Sequence, residues 1–479
     1  MNPLRKHRVC GVLAAVCLLA AAVTVPAAQQ GMPLPSVALS ASAAETTTYG
    51  DLTLLLYSDY VEIADCKLSA TSVTIPSKMG GKPVRVIGER AFYGCTNLQS
   101  VTISSNVQII GDNAFAYCNA LTTLTLPESV TAIGDAVFYN CSGLTSLLLP
   151  SQLLQIGTAA FEGCTGLTAL ELPASVTTLG DNAFAECTSL QQITVADGNS
   201  AFVSVDGVLL NQAQTTLIRY PIAKSGTAYT VPATVTELAP SAFESCTRLT
   251  EIGLPNTLSS IGAWAFANTG LTAIHLPNSV RTVDDHAFCA CTALTDVTLS
   301  SNLQELGAGA FWGCTALQNV VLPNRLQSIS YCLFYGCTEL RAVTVPQSVQ
   351  NIENEAFSGS SYQIDMTVYN GSYAHEYFQK QINGSLSIGA TPKYALTLLE
   401  APAIMKGDSN QDGVIGVEDA VQVLQTYAQQ SAGLSVEISD AVFTAMDVDE
   451  NGQISVEDAV KILTYYARQS AGLDVSWDF

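Results

Sequence analysis

The sequence predicts an α/β repeat solenoid with a 23-residue period, followed by a small all-α module. Three observations carry this. Eleven phenylalanines recur through the middle of the 479-residue chain at a nearly fixed interval. Nine cysteines follow them at a constant offset of three residues. Near the C-terminus, two acidic twelve-residue segments repeat 39 residues apart, each leading into a helical pattern. Composition agrees, because 48% hydrophobic against 13% charged residues must collapse around a core. The net charge of −22 argues against nucleic acid as a partner.

The first element is an address label. Arg5, Lys6 and Arg8 precede an apolar run over residues 9–25 and then the small residues Ala41, Ser42 and Ala43. Residues 1–43 therefore read as a secretory signal peptide, with cleavage after Ala28 or Ala43. A single-pass anchor is the alternative, since a run of about 17 residues is the lower limit for spanning a bilayer. The expectation is a secreted chain with no membrane insertion after cleavage.

The solenoid comes next. Phe92, Phe115, Phe138, Phe161, Phe184, Phe243, Phe266, Phe288, Phe311, Phe334 and Phe357 are spaced by 23, except for one step of 59 and one of 22. Repeats at this period signal stacked coils. The fullest copy reads Leu-Pro-x-Ser-Val-x-x-(Ile/Leu)-Gly-x-x-Ala-Phe-x-x-Cys-Thr-x-Leu-x-x-(Val/Leu)-x-Leu. Leu121, Leu124 and Leu126 face one side, the proline ends the strand, the Phe fills the coil, and Gly134, Gly157 and Gly180 permit a tight turn. One coil cannot bury its own apolar face, whereas a stack can. The long step marks an insertion at about 195–230, whose segments 202–210 and 216–220 read as a hairpin. Residues 45–85 and 360–390 serve as caps, and 391–405 as a linker.

Fourteen cysteines in an exported chain raise the question of disulfides. Cys95, Cys118, Cys141, Cys164, Cys187, Cys246, Cys291, Cys314 and Cys337 form one column. Side chains in such a ladder point alike, which suits reduced core thiols better than bridges. Cys66, Cys289 and Cys332 fall off the column and are the disulfide candidates. The outward strand column, with Glu171 and His275, offers no convergent catalytic cluster. Tyr93, Tyr139, Trp312 and Tyr335 follow the repeat Phe and either stack on a ligand or cover the turns of their own coils.

Thirteen acids face only Lys406, Lys461 and Arg468 over residues 405–479. The first duplicated loop is Asp408-Ser-Asn-Gln-Asp-Gly-Val-Ile-Gly-Val-Glu-Asp419, the second Asp447-Val-Asp-Glu-Asn-Gly-Gln-Ile-Ser-Val-Glu-Asp458. Oxygen ligands fall at positions 1, 3, 5 and 12, a carbonyl at 7 and glycine at 6, which is calcium-site spacing. A hard divalent cation would draw together Asp408, Asn410, Asp412, the Val414 carbonyl and Asp419. A second would draw together Asp447, Asp449, Asn451, the Gln453 carbonyl and Asp458. Two Ca²⁺ are thus expected, with folding of the module dependent on them. Ile415 and Ile454 can pair as its core, and Trp477 and Phe479 either clasp its termini or fray.

The repeat resembles the BspA-like leucine-rich repeats of secreted and surface proteins, over residues 45–390. The loops at 406–479 resemble a type I dockerin, on the duplicated loop-plus-helix and the Asp at position 12. That resemblance implies a calcium-dependent complex with a cohesin module of a scaffoldin, and extracellular placement at the cell surface through a cellulosome. Its recognition positions fall on Val417, Glu418, Leu424, Gln425 and Gln429, and on Val456, Glu457, Leu463, Thr464 and Arg468. The expected function is a non-catalytic cellulosome component whose repeats present a surface to an unassigned protein or glycan. The alternatives are a glycoside hydrolase-like enzyme of polysaccharide degradation and a surface adhesin or inhibitor.

Overall fold

Each 23-residue unit turns its apolar residues toward one interior, so successive units stack as coils. The computed structural model describes residues 45–384, 394–400, 405–410, 413–436, 438, 440–473 and 475–477. They fall in one unit, Ser40–Phe479. The other unit, Met1–Leu39, carries most of the expected signal segment and lies outside the described residues.

A full coil holds two short strands on different sides. Thr123–Thr125 pairs in parallel with Ser146–Leu148, Leu124 opposite Leu147. Ala132–Ile133 pairs in parallel with Gln155–Ile156. Between them runs a turn segment centred on the repeat Phe. No helix occurs in the repeats among the described residues, so the expected α/β character is corrected: the solenoid is β throughout. The backbone explains why. The residues two before and two after each Phe are left-handed, as Asn113 and Tyr117 (φ 55° and 62°) and Ala136 and Asn140 (52° and 56°). Two such residues four apart leave no room for a right-handed helix. The turn segment pairs with the next coil instead: Asn113 N–H donates to Asp135 O at 2.8 Å, Phe115 to Val137 at 2.9 Å and Tyr117 to Tyr139 at 2.7 Å.

The glycine column also has a different reason from the expected one. Gly134, Gly157 and Gly180 are not left-handed. They sit where coils touch, and a Cβ on Gly157 would lie 2.5 Å from the carbonyl carbon and oxygen of Gly134.

The repeat Phe rings are buried and stack nearly parallel, at 5.7 Å for Phe115–Phe138 and 5.6 Å for Phe138–Phe161. Each contributes on the order of 2–3 kcal/mol of burial that a lone coil would forfeit. All nine column cysteines and Cys66 are buried and free, and Cys289 and Cys332 are buried as well. Column thiols donate to the Phe carbonyl of the preceding coil: Cys141 Sγ to Phe115 O at 3.0 Å, Cys164 to Phe138 at 3.2 Å, Cys314 to Phe288 at 3.1 Å.

The insertion is more than a hairpin. Phe202–Val205 and Val208–Asn211 pair antiparallel around Asp206 and Gly207, both left-handed. Thr216–Arg219 adds a third strand and pairs in parallel with Glu237–Leu238. Then Tyr220, 23 residues before Phe243, takes the place of a repeat Phe. Its ring stacks on Phe243 at 5.2 Å, and its carbonyl accepts from Cys246 Sγ at 3.8 Å. Ala228–Thr230 completes this twelfth, degenerate coil by pairing with Glu251–Gly253. The hydrophobic interior divides here. Leu209 belongs to the cluster of the first half, while Val208 and Leu210 belong to that of the second.

At the start, Glu45–Tyr49, Leu52–Leu56 and Val61–Cys66 form an antiparallel cover, with Val61–Cys66 passing into the parallel ladder through Lys82–Ile87. At the end, the helix Tyr373–Ile382 closes the stack, with Phe378 edge-on to Phe357 at 5.8 Å. Within the expected linker, Tyr394–Leu399 forms one more parallel strand, on Ile364–Tyr369. Among the described residues no helix is long and apolar enough to cross a membrane.

Candidate metal centre

The duplicated segments fold alike because each ends in an aspartate with two tasks. Asp458 is the last residue of its loop and the third of the helix Val456–Ser470. Its Oδ2 accepts from Ser455 N–H at 2.9 Å and its Oδ1 from Asp449 N–H at 3.3 Å. This closes the loop and caps the helix in one stroke, and the carboxylate lies at the positive end of the helix. Asp419 does the same for Val417–Ser431: its Oδ2 accepts from Gly416 N–H at 2.7 Å and its Oδ1 from Asn410 N–H at 3.1 Å. The first aspartates match too. Asp408 Oδ2 accepts from Gly413 N–H at 2.9 Å, and Asp447 Oδ2 from Gly452 N–H at 2.8 Å.

In the second loop, one carboxylate oxygen from each of Asp447, Asp449 and Asp458 lies within 4.8 Å of the others. Asp447 and Asp458 are buried and Asp449 half-buried, and no Lys or Arg pairs with them among the described residues. Three carboxylates this close repel unless a cation sits among them. All-oxygen donors, with the side chain of Asn451 beside Asp449 at 2.9 Å, are the set that a hard divalent ion takes. Gln453 lies next along, its N–H donating to Asn451 Oδ1 at 2.8 Å. In the first loop Asp408 and Asp419 are buried, Asn410 is half-buried and Val414 is exposed. Asp412 lies outside the described residues.

Ile415 and Ile454 join one buried cluster with Val423, Met446, Val448 and Ile462. The helix Asp440–Met446 enters the second loop. Trp477 stacks on Tyr465 at 4.4 Å and packs against Gly407, so the clasp forms, while Phe479 lies outside the described residues.

Of the ten recognition residues expected from resemblance, Val417, Glu418, Leu424, Gln425, Gln429, Val456, Glu457 and Leu463 are exposed; Thr464 and Arg468 are half-buried. The sequence reading missed Val421, Tyr427, Val460 and Tyr466. With Val417, Leu424, Val456 and Leu463 they give each helix the same exposed apolar stripe, from 37% exposed at Leu463 to 55% at Val460. It also missed an ion pair across to the solenoid, Arg325 to Glu418 at 3.6 Å. Glu418 is held below the usual carboxylate range by its own backbone N–H and then by Arg325.

The solenoid surface gathers no comparable cluster. Nδ1 of His275 meets Thr298 Oγ1 at 3.0 Å, and Nδ1 of His375 accepts from Gly371 N–H at 3.1 Å. His286 lies flat on Trp264 at 4.4 Å. Glu171 and Glu251 stand in separate sheets. The aromatic column covers its own turns, as Tyr93, Tyr117 and Tyr139 meet edge to face at 5.5 Å, and Trp312 meets Tyr335 at 5.2 Å.

The chain matches the family described as BspA type leucine rich repeat region, in six copies over residues 64–204, 223–321 and 304–379. Among solved structures, the pneumococcal vaccine antigen PcpA is 22% identical, with 74% of this chain and all of that one covered (100%), at a TM-score of 0.57. A leucine-rich repeat protein from Eubacterium ventriosum is 27% identical, covering 67% of this chain and 96% of that one, at 0.54. A leucine rich cell surface protein from Faecalibacterium prausnitzii is 27% identical, covering 71% and 98%, at 0.49. No curated protein sequence matches the chain.

Proposed function

Because the chain belongs to the BspA-type leucine-rich-repeat family, we propose that it is an exported, non-catalytic repeat protein carried on a type I dockerin. In this reading the C-terminal module binds two Ca²⁺ and then a cohesin module of a scaffoldin, and the solenoid presents its surface to a protein or glycan at the cell exterior. One observation carries it: the module is duplicated in three dimensions as well as in sequence. Loop closure by Asp419 and Asp458, the paired buried isoleucines and the two exposed apolar stripes all recur at an offset of 39.

Asp408, Asn410, Asp412, Asp419 and the Val414 carbonyl would hold one cation, and Asp447, Asp449, Asn451, Asp458 and the Gln453 carbonyl the other. A bound cation would supply the positive charge that lets these carboxylates converge. The protein's own part is to fix loop curvature through Gly413 and Gly452, and to hand that geometry on to the helices through Asp419 and Asp458. Val417, Val421, Leu424 and Tyr427, with Val456, Val460, Leu463 and Tyr466, form a partner surface whose apolar centre is rimmed by Glu418, Glu457, Gln425 and Gln429. Such a centre and rim suit a protein partner.

Calorimetric titration of the full chain with Ca²⁺, before and after chelation, tests the metal half. Two sites are expected, and Asp458→Asn removes one of them. A cohesin array probed with the full chain tests the partner half. Binding that survives chelator, or no binding to any cohesin, ends this reading.

A further inference from the structure

The degenerate coil leaves a gap that the other coils do not have. From the last strand residue to the ring there are five residues in an ordinary coil, as Leu179 to Phe184 or Leu238 to Phe243. In the insertion, Leu217 pairs with Leu238 and Tyr220 lies only three residues on. Two residues are missing opposite the turn segment 181–185. A cavity of about 190 Å³ occupies their place, lined by that segment together with Phe202, Ile218 and Arg219.

The gap strands hydrogen-bond donors. One coil earlier, Ala159, Phe161 and Gly163 donate to Asp181, Ala183 and Ala185, each at 2.9 Å. The equivalent N–H groups of Asn182, Phe184 and Glu186 find no acceptor among the described residues, and Ala242 O is taken by Tyr220. Phe184 is buried, so its N–H is a costly group to leave unpaired. Arg219 is 5% exposed and bonds the Ser241 and Glu244 carbonyls, yet its Nε has no partner. Glu162 and Glu244 act on the same guanidinium, and burial raises both; Glu162, pushed up to about 7, offsets its charge only in part near neutrality.

We propose that this cavity binds a small carboxylate with a short apolar body. Its oxygens take the Asn182 and Phe184 N–H groups under the charge of Arg219, and its hydrocarbon lies against Phe202 and Ile218. Unpaired donors and a buried cation call for a charged acceptor. The apolar wall calls for hydrocarbon behind it, and a volume of about 150 Å³ already admits a benzene ring.

The test is calorimetry and saturation-transfer NMR on the full chain with butyrate, benzoate, benzyl alcohol and inorganic phosphate. Saturable binding of butyrate or benzoate is expected, at least about tenfold tighter than benzyl alcohol or phosphate. Ala239→Phe, which fills the cavity without touching a donor, should abolish it. Arg219→Gln should weaken benzoate to the level of benzyl alcohol, and the cavity-filling variant decides the matter if that protein does not fold. No saturable binding, equal binding of benzoate and benzyl alcohol, preference for phosphate, or indifference to Ala239→Phe each overturns the proposal.

Discussion

Trp477 lies so close to Gly407 that a methyl group on that glycine would overlap the indole, and the same indole stacks on Tyr465. The first and last described parts of the C-terminal module are thereby joined. Gly407 is also left-handed, at φ 91°. Gly407→Ala and Trp477→Ala should therefore each cost about 1–3 kcal/mol, through overlap in one and lost packing in the other. Hydrogen exchange on the full chain reads this out. Faster exchange is expected at 405–410 and 456–470, with the solenoid unchanged; slow exchange throughout would contradict the clasp.

Coil contact sets a second expectation. Gly157→Ala places a Cβ against the Gly134 carbonyl, where backbone cannot yield, and should cost about 3 kcal/mol or more. Asn182→Gly relieves a left-handed residue at an exposed position, φ 56°, and should be neutral or stabilising by up to about 1 kcal/mol. Urea midpoints of the two variants should move in opposite directions or differ widely. Equal midpoints would mean that the column glycines serve only as turns.

The thiols should be inert. Burial pushes Cys187, Cys246 and Cys337 up to about 12. The hydrogen bond with Cys66 lowers Cys95, and against burial those with Cys314 and Thr269 lower Cys291, but all five lie in the packed interior out of reach of a reagent. In the native full chain a thiol reagent at pH 8 should meet no fast-reacting group among the twelve described cysteines. All of them become reactive in denaturant. Mass mapping that finds a column cysteine labelled in native protein would count against the stacked interior.

Stability should fall as pH rises through the mildly acidic range. Burial raises Glu162 to about 7 and also raises Glu62, Asp112, Glu244 and Asp284. The folded chain then holds protons that the unfolded chain has released, so stability declines from about pH 4.5 to about pH 7. Denaturant midpoints across that range measure it. Glu162→Gln should flatten the slope, and a midpoint that rises with pH would refute the sign.

The sequence displayed the period, the ring column and the thiol column plainly, because each is one residue type at one offset. It hid Tyr220, since a tyrosine replaces the phenylalanine and the coil is two residues short. It hid the left-handed pairs as well, because Asn, Gly, Ala, Ser, Tyr and Glu share those positions and no single letter repeats. The purpose of Gly157 was illegible for another reason: its neighbour in space is 23 residues away, and nothing local records the distance. In the acidic loops, spacing alone located Asp447, Asp449 and Asp458, whose convergence is set within twelve residues. Val421 and Tyr466 were missed because helical periodicity identifies an apolar stripe without saying which stripe stays uncovered. Arg325 was beyond reach, being 93 residues from Glu418.

Leu209, Phe202 and Ile218 turn into one interior while Val208, Leu210, Val203 and Leu217 turn into the other, so the three inserted strands together mortar two greasy columns. Force applied along the chain from its C-terminal end would be borne evenly by stacked rings until it reached those strands. The two halves would then part as intact blocks, each keeping its own shape and able to re-seat when the load is released.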